Sequence, residues 1–157
     1  MLLTTILNHV HPLKSFVYQT ARFDEVDGSK AIISEIKPRK NSKAICGGCH
    51  RKCSCYDHLP KRFYQFVPLW AIPVFFLYAR RRVNCETCGV TAEWLPWCDG
   101  KNHLTHAFRL FLANWARRLC WQETANTFGT SWQSVYRSVQ WVVDYGLAHR
   151  IIKGIKA

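Results

Sequence analysis

Acidic residues are scarce in this sequence of 157 residues, which has 10 Asp and Glu against 22 Lys and Arg. The formal net charge is therefore +12, and the isoelectric point is about 9.6. A disordered basic tail is excluded, because 48% of the residues are hydrophobic and 14% are aromatic, which is enough for packed cores. The excess of positive charge indicates a polyanionic partner, with nucleic acid as the first candidate; the alternative is charge that serves only solubility.

Long hydrophobic runs are also missing. The strongest apolar stretch, Phe66 to Ala79, is shorter than the roughly 18–20 residues that span a bilayer, and it contains Pro68 and Pro73. The apolar start, Met1 to Val10, has neither a basic region nor a small-residue cleavage site, so we expect no secretory signal. We therefore expect a cytoplasmic protein with no membrane partner, whose cysteines are reduced.

The eight cysteines include two closely spaced pairs, Cys46 with Cys49 and Cys85 with Cys88. In both pairs two residues intervene, so that a tight turn can direct both thiolates at one ion, and the adjacent glycines permit the backbone of such a turn. Four thiolates form a closed tetrahedral site, which predicts one structural Zn²⁺ without an open position for catalysis. A redox dithiol is the weaker alternative, because one redox motif would not explain two pairs.

Other sulfur and imidazole side chains leave the ligand set open. Cys53 or Cys55 could replace Cys49, and His50 and His58 are further alternatives near the first pair. The two remaining cysteines, Cys98 and Cys120, are expected to act as small apolar residues, with Cys120 beside a helix end.

Residues up to about 95 have the pattern of short β-strands. Phe16 to Phe23 and Lys30 to Lys37 predict a hairpin, because an Asp-Gly pair lies in the loop between them. Arg62 to Val67 and Pro73 to Val83 predict a second hairpin, with a turn over Pro68 to Ile72. This second hairpin leads directly into Cys85, so the two cysteine pairs lie at its ends, as in a zinc ribbon.

After Trp97 the apolar residues follow a helical period. Thr105 can cap a helix whose last turn contains Arg117 and Arg118, where cations suit the helix dipole. Its apolar positions recur at three- and four-residue spacing along one face. They are Phe108, Phe111, Leu112, Trp115 and Leu119.

The next segment predicts a helix-turn-helix. Gln122 to Phe128 is a short helix with Ala125 at the helix contact, and Gly129 supplies the left-handed residue that the turn needs. Thr130 begins the second helix, and Gln133 completes a capping box with it. The alternative is an ordinary pair of helices without a nucleic-acid ligand.

The second helix of this pair is expected to read DNA. Val135 and Val139 point inward, and Val142 and Val143 extend that apolar stripe. The side chains left outside can reach base edges and phosphates from a major groove. They are Trp132, Gln133, Tyr136, Arg137 and Gln140. Arg137 to guanine and Gln133 to adenine are the best candidates for base contacts, although either could contact phosphate alone.

Three consecutive arginines, Arg80, Arg81 and Arg82, adjoin the second cysteine pair. Strand alternation would place Arg80 and Arg82 on one face and Arg81 on the other. Two interpretations are equally supported: phosphate contact, or a solvated strand edge that discourages aggregation. Arg117 and Arg118 are further candidate DNA contacts.

The order of these elements resembles the amino-terminal part of bacterial transposases of the ISL-three insertion-sequence family. The matching segments are Cys46 to Cys49, Tyr78 to Gly89 and Ala116 to Tyr136. The resemblance implies a zinc ribbon and a helix-turn-helix that bind the terminal inverted repeats of the element. It also implies that the chain is associated with the nucleoid. It also implies partners: double-stranded DNA, and a full-length transposase or a second copy of the chain.

The family's catalytic domain, with its Asp-Asp-Glu triad, would follow these elements. The sequence ends at Ile155 to Ala157, about where the first catalytic strand should begin, and Asp144 is the only acid after Glu123. One carboxylate cannot hold two catalytic metals, so we expect no enzymatic activity of this chain. Alternatives are a free-standing regulator with the same two elements, and an interaction module stapled by zinc.

The predicted fold class is therefore α+β, with a β-hairpin and zinc-ribbon part followed by a helical part. The predicted domains are a hairpin lead-in and linker over residues 1–43, a zinc ribbon over 44–96 and a helix-turn-helix over 101–150.

Overall fold

The computed structural model describes residues 2–150. The predicted start of a catalytic strand near Ile155 lies outside the described residues. The fold is mixed α+β, and the chain divides into two compact units, Met1–His106 and Ala107–Ala157. Between residues 2 and 150, no helix is both long and apolar enough to cross a membrane.

The first unit contains one short helix and a mixed β-sheet. Its strands lie in the order β1-β2-β5-β4-β3, and β6 pairs with β5. Neighbouring strands are antiparallel except β2 and β5, which run parallel. The elements are α1 Leu3–Val10, β1 Phe16–Val26, β2 Ser29–Pro38, β3 Ala44–Ile45, β4 Lys52–Leu69, β5 Ile72–Cys85 and β6 Gly89–Ala92.

Both hairpins expected from the sequence are present, with longer strands. The β1–β2 turn consists of Asp27 and Gly28, both with positive φ. The β4–β5 turn is tighter than the expected five residues, because Leu69 already pairs with Ile72. Its two central residues, Trp70 and Ala71, have φ of 51° and 63°, as a type I′ turn requires.

The lead-in and the cysteine-containing part share one sheet. The sequence predicts separate domains over residues 1–43 and 44–96, whereas in the structure β2 pairs with β5 from Ile32–Val74 to Glu35–Leu77. The aromatic core explains this arrangement, since Phe16 from β1 and Tyr78 from β5 both contact the buried Trp97 edge-on. Cys98 is buried in the same core, as expected of a small apolar residue.

Helix α1 is absent from the sequence-based expectations. It has no side-chain cap, and it is held by Leu7, which is buried among Leu13, Phe16 and Tyr18. A helix this short is unstable alone, so its stability comes from that packing.

The helical part contains α2 His106–Trp115, α3 Trp121–Thr127 and α4 Trp132–Ala148, and the second unit begins at the second residue of α2. Phe108, Leu112, Ala125 and Val135 are fully buried, as the periodicity predicts. Gly129 has φ of 61°, as expected for the turn between α3 and α4.

Three details of the helical prediction are wrong. Arg117 and Arg118 follow α2 in a turn rather than lying in its last turn. The cap of α4 is Ser131, not Thr130, because the Ser131 hydroxyl accepts from the N–H of Ser134. The apolar stripe fades toward the end of α4, where Val143 is exposed.

Candidate metal centre and nucleic-acid interface

Four cysteine sulfurs converge at one end of the β4–β5 hairpin. The Sγ atoms of Cys46, Cys49, Cys85 and Cys88 all lie within 4.8 Å of one another, and those of Cys49 and Cys85 are 3.4 Å apart. A tetrahedral Zn²⁺ with Zn–S bonds of about 2.3 Å places its sulfurs roughly 3.8 Å apart. This group, here called the cysteine cluster, therefore has the donors and the spacing to hold one metal ion.

The first cysteine pair lies in the tight connection from β3 to β4. The N–H of Cys46 donates to the carbonyl of Arg51, and the N–H of His50 donates to the carbonyl of Cys46. Inside this connection the N–H of Gly48 points at Cys46 Sγ, 3.4 Å away. This N–H donor favours the negatively charged thiolate form of Cys46, which is the form that coordinates a cation.

The second pair lies in the connection from β5 to β6, where Cys85 pairs with Gly89. The N–H groups of Cys88 and Thr87 lower the pKa of the Cys85 thiol to about 6. The N–H groups of Cys49 and Gly48 likewise lower the pKa of Cys46. One sulfur of each pair is therefore favoured as a thiolate by its own backbone.

The sulfur of Cys88 shows the opposite shift. The pKa of the Cys88 thiol is raised to about 12, chiefly by its hydrogen bond to Cys49, and negative charge on Cys46 and Cys49 raises it further. A bound dication removes this opposition, because it stabilises all the thiolates that coordinate it. The donor set therefore fits a soft divalent ion such as Zn²⁺.

None of the alternative ligands joins this group among the described residues. Cys53 is half-buried beside the cluster, but its thiol donates to the Arg51 carbonyl, and burial raises its pKa to about 11. Cys55 is exposed and donates to the Asp57 carbonyl. The His50 ring packs edge-on against Trp94, and His58 is exposed.

Gly47 is the residue of the first turn where a side chain would collide with the backbone. A Cβ at this position would lie 2.5 Å from the Ala92 carbonyl oxygen, to which the Gly47 N–H donates. We expect Gly47→Ala to lower the free energy of unfolding by roughly 1–3 kcal/mol, because backbone must move. Urea unfolding followed by circular dichroism measures this change.

The matched control is Gly146→Ala. Gly146 lies within α4, where an added Cβ meets nothing within 4 Å, and alanine favours a helix over glycine. Gly146→Ala should therefore leave stability unchanged or raise it. Equal stability of Gly47→Ala and the unchanged chain would show that Ala92 does not constrain this turn.

The three arginines of β5 bind partners within the first unit. Arg81 is buried, and its guanidinium forms an ion pair with the fully buried Glu93, with a nitrogen–oxygen distance of 2.8 Å. Arg80 donates to the carbonyls of Glu93 and Gly100. Arg82, on the opposite face from Arg81, pairs with the Asp57 carboxylate.

These partners change the interpretation of the arginine run. Arg81 has a structural role rather than phosphate contact, because its charge is enclosed with Glu93. Glu93 also accepts from the Tyr78 hydroxyl and the Arg81 N–H, so one carboxylate binds three donors. The sequence gives little indication that Glu93 is a buried ion-pair partner. It is a single acidic residue between β6 and the apolar segment that contains Leu95 and Trp97.

In the second unit, α4 exposes the five residues that the sequence analysis selects. Val135 and Ser138 are buried on its inner side. The exposed residues are Trp132, Gln133, Tyr136, Arg137 and Gln140. Arg117 and Arg118 are exposed as well, in the turn between α2 and α3.

At the start of α3, Cys120 lies beside a helix end as expected, but it is exposed rather than packed as a small apolar residue. Cys120 caps this helix: its Sγ accepts from the Glu123 N–H, and the Glu123 carboxylate accepts from the Cys120 N–H. The Cys-x-x-Glu spacing is a capping-box pattern in which sulfur replaces the usual hydroxyl. Next to it Trp121 is exposed, with its ring centroid 5.2 Å from that of Tyr136.

Comparison with known proteins connects this chain to insertion sequences. It is 31% identical over 98 residues to the transposase for insertion sequence element IS1557 of Mycobacterium tuberculosis strain CDC 1551 / Oshkosh, and equally to that of strain ATCC 25618 / H37Rv. The match covers 60% of this chain and 22% of each relative, so the chain spans about a fifth of their length. No protein-family model matches the chain, and no solved structure matches it.

Proposed function

We propose that this chain is a DNA-binding portion of a transposase, which recognises the terminal inverted repeats of an insertion sequence. The similarity to two insertion-sequence transposases supports this class of protein. The observation that carries the DNA-binding role is the exposed side of α4, where polar, basic and aromatic side chains project from a capped helix. Helices of this composition are the elements that enter a major groove.

In this proposal α3 and α4 form a helix-turn-helix with α4 as the recognition helix. Arg137 contacts guanine through two donors, and Gln133 contacts adenine through its amide. Arg117 and Arg118 bind phosphates and so set the orientation of the unit without reading sequence. These side chains belong to one compact unit, which is the condition for their acting together.

The cysteine cluster is proposed to hold one Zn²⁺, making the hairpin of β4 and β5 a zinc ribbon. A bound ion would join the β3–β4 and β5–β6 connections by four metal–sulfur bonds, in addition to the hydrogen bond between the Arg51 and Thr87 side chains. With four thiolates the ion would have no open position, so its role is structural. Of the β5 arginines, Arg80 and Arg82 remain candidates for phosphate contact from this unit.

We further propose that the chain binds DNA without cutting it. In two-metal strand cleavage, several carboxylates must converge on the same ions. Glu93 is bound to Arg81, and Glu123 to the cap of α3. Cleavage would then depend on a full-length transposase or a further domain. As a DNA-binding protein, the chain is proposed to act in the cytoplasm, at the nucleoid.

Arg137→Ala tests the recognition helix. On duplexes copied from the DNA ends that flank the reading frame, we expect affinity to fall by roughly 1–3 kcal/mol, because one bidentate base contact is lost. On a scrambled duplex the loss should be much smaller. Fluorescence anisotropy titrations of the full chain with zinc, at several salt concentrations, measure both values.

The matched variant is Arg118→Ala, which removes an exposed arginine of the same unit. It should weaken binding to both duplexes alike and make the salt slope shallower by about one unit. If Arg137→Ala behaved in the same way as Arg118→Ala, α4 would contact phosphates and would not read bases.

A further inference from the structure

Three aromatic side chains form an exposed group in the second unit. Trp121 at the start of α3 and Trp132 and Tyr136 on α4 have exposed fractions of 41%, 46% and 43%. The rings of Trp121 and Tyr136 are 5.2 Å apart between centroids and tilted by 54°. Trp132 precedes Tyr136 by one helical turn, so both side chains leave α4 on the same side. This group is here called the aromatic cluster.

Packing within the second unit does not explain why these three aromatic side chains lie together at the surface. The buried contacts of α3 and α4 are made by Thr124, Ala125, Val135 and Ser138. A second aromatic group of the unit is more enclosed, because Phe111 and Phe128 are half-buried and lie 4.8 Å apart between ring centroids; only its third member, Trp115, is exposed, at 40%. Adjoining exposed aromatic rings mark a surface that binds a ligand.

The charges around the aromatic cluster favour a nucleic acid over a protein. Arg118 lies three residues before Trp121, and Arg137 follows Tyr136 directly; both are exposed. The nearest acid in the sequence, Glu123, accepts from the Cys120 N–H in the helix cap. A ligand that offers flat apolar rings beside anions matches this surface, and an unstacked nucleotide has both features.

Tryptophan side chains such as Trp121 and Trp132 are poorly suited to reading paired bases by hydrogen bonds. An indole has one donor and no acceptor, so it reads little of a base-pair edge. Its large flat face instead suits stacking on a base, which is available only where the base is unpaired or a base step is opened.

We propose that the aromatic cluster stacks on an unpaired base, so that this unit prefers DNA with a bulged base over the same DNA fully paired. The proposal rests on the proposed function, because it takes DNA as the ligand, and it adds a specific structural class of DNA. Trp121 becomes a contact residue that the helix-turn-helix interpretation does not include.

The experiment compares two probes of one sequence: a fully paired duplex, and the same duplex with one additional, bulged 2-aminopurine. Stacking on a base contributes about fivefold or more in affinity. We therefore expect the full chain with zinc to bind the bulged probe at least about fivefold more tightly, and the 2-aminopurine fluorescence to fall on binding. Anisotropy titration gives the affinities, and the fluorescence reports stacking directly.

Two substitutions and one control assign the effect. Trp121→Leu and Tyr136→Leu keep apolar bulk but lose an aromatic face, so both should reduce the preference for the bulged probe and the fluorescence change. Trp121→Phe should retain a larger part of both. The control is Trp70→Asn in the β4–β5 turn: Trp70 is 80% exposed and has positive φ, which asparagine tolerates. It should change neither.

Equal affinity for the two probes, with normal binding of the paired duplex, would overturn this inference while leaving the proposed function intact. Absence of binding to either probe would overturn both. If Trp121→Leu changed the oligomeric state but not the preference for the bulged probe, the aromatic cluster would be a protein interface, and the inference would be wrong.

Discussion

Loss of the proposed Zn²⁺ is expected to unfold the end of the first unit that contains the cysteine cluster. Cys46→Ser or Cys88→Ser leaves three sulfur ligands, and chelation leaves four sulfurs that cannot all remain thiolates, because adjacent negative charges repel one another. Metal–ligand free energy acts as folding free energy, on the order of 10 kcal/mol for structural zinc. Few apolar groups compensate, because the buried cluster there consists of Ala44, Cys46, Val83 and Cys85.

Metal analysis should find about one Zn per chain, and hydrogen exchange should show loss of protection in β3 and β6 after chelation. Cys120→Ser is the control, because Cys120 is exposed and serine is a good helix cap. It should keep both the metal and the stability. A well-folded protein without metal, unchanged by Cys88→Ser, would contradict this role of the cysteine cluster.

Glu93→Ala is expected to be the most damaging single substitution away from the cysteines. It leaves Arg81 as a buried charge without its partner, and removes the acceptor of the Tyr78 hydroxyl. Breaking a buried ion pair from one side costs about 3–5 kcal/mol. Urea unfolding of the zinc-loaded chain measures the loss.

Asp57→Ala is the matched control, because it breaks the ion pair with Arg82. Both side chains of this pair reach solvent, with exposed fractions of 42% for Arg82 and 39% for Asp57. The expected cost is less than about 1 kcal/mol. The double variant Arg81→Met, Glu93→Leu should recover much of the stability that Glu93→Ala loses, because no buried charge remains. A small effect of Glu93→Ala would mean that water reaches Arg81.

Local sequence patterns predict the parts of the structure that depend on near neighbours. The Cys-x-x-Cys spacings identify the four residues that converge, and the helical period identifies the outer side chains of α4 as far as Gln140. The one-residue error at the cap of α4 is also local. Threonine and serine are both common at the N-cap position, so the sequence does not distinguish Thr130 from Ser131. In the structure the Ser131 hydroxyl accepts from the N–H of Ser134, which identifies Ser131 as the cap.

Contacts between distant segments are not predictable in this way. The parallel pairing of β2 with β5 and the burial of Arg81 against Glu93 depend on how the strands pack. A run of three arginines gives no sign that its middle member lies inside. Helix α1 was missed for a related reason, because its stability comes from the core around Leu7 rather than from its own sequence.

Selection of binding sites from a pool of random duplexes tests the proposed function most directly. The full chain with zinc is incubated with the pool at moderate salt, and the bound DNA is amplified and sequenced over several rounds. We expect enrichment of one short sequence that also occurs as inverted repeats at the DNA ends flanking the reading frame. Binding without enrichment, or enrichment of a sequence absent from those ends, would contradict recognition of terminal repeats by this chain.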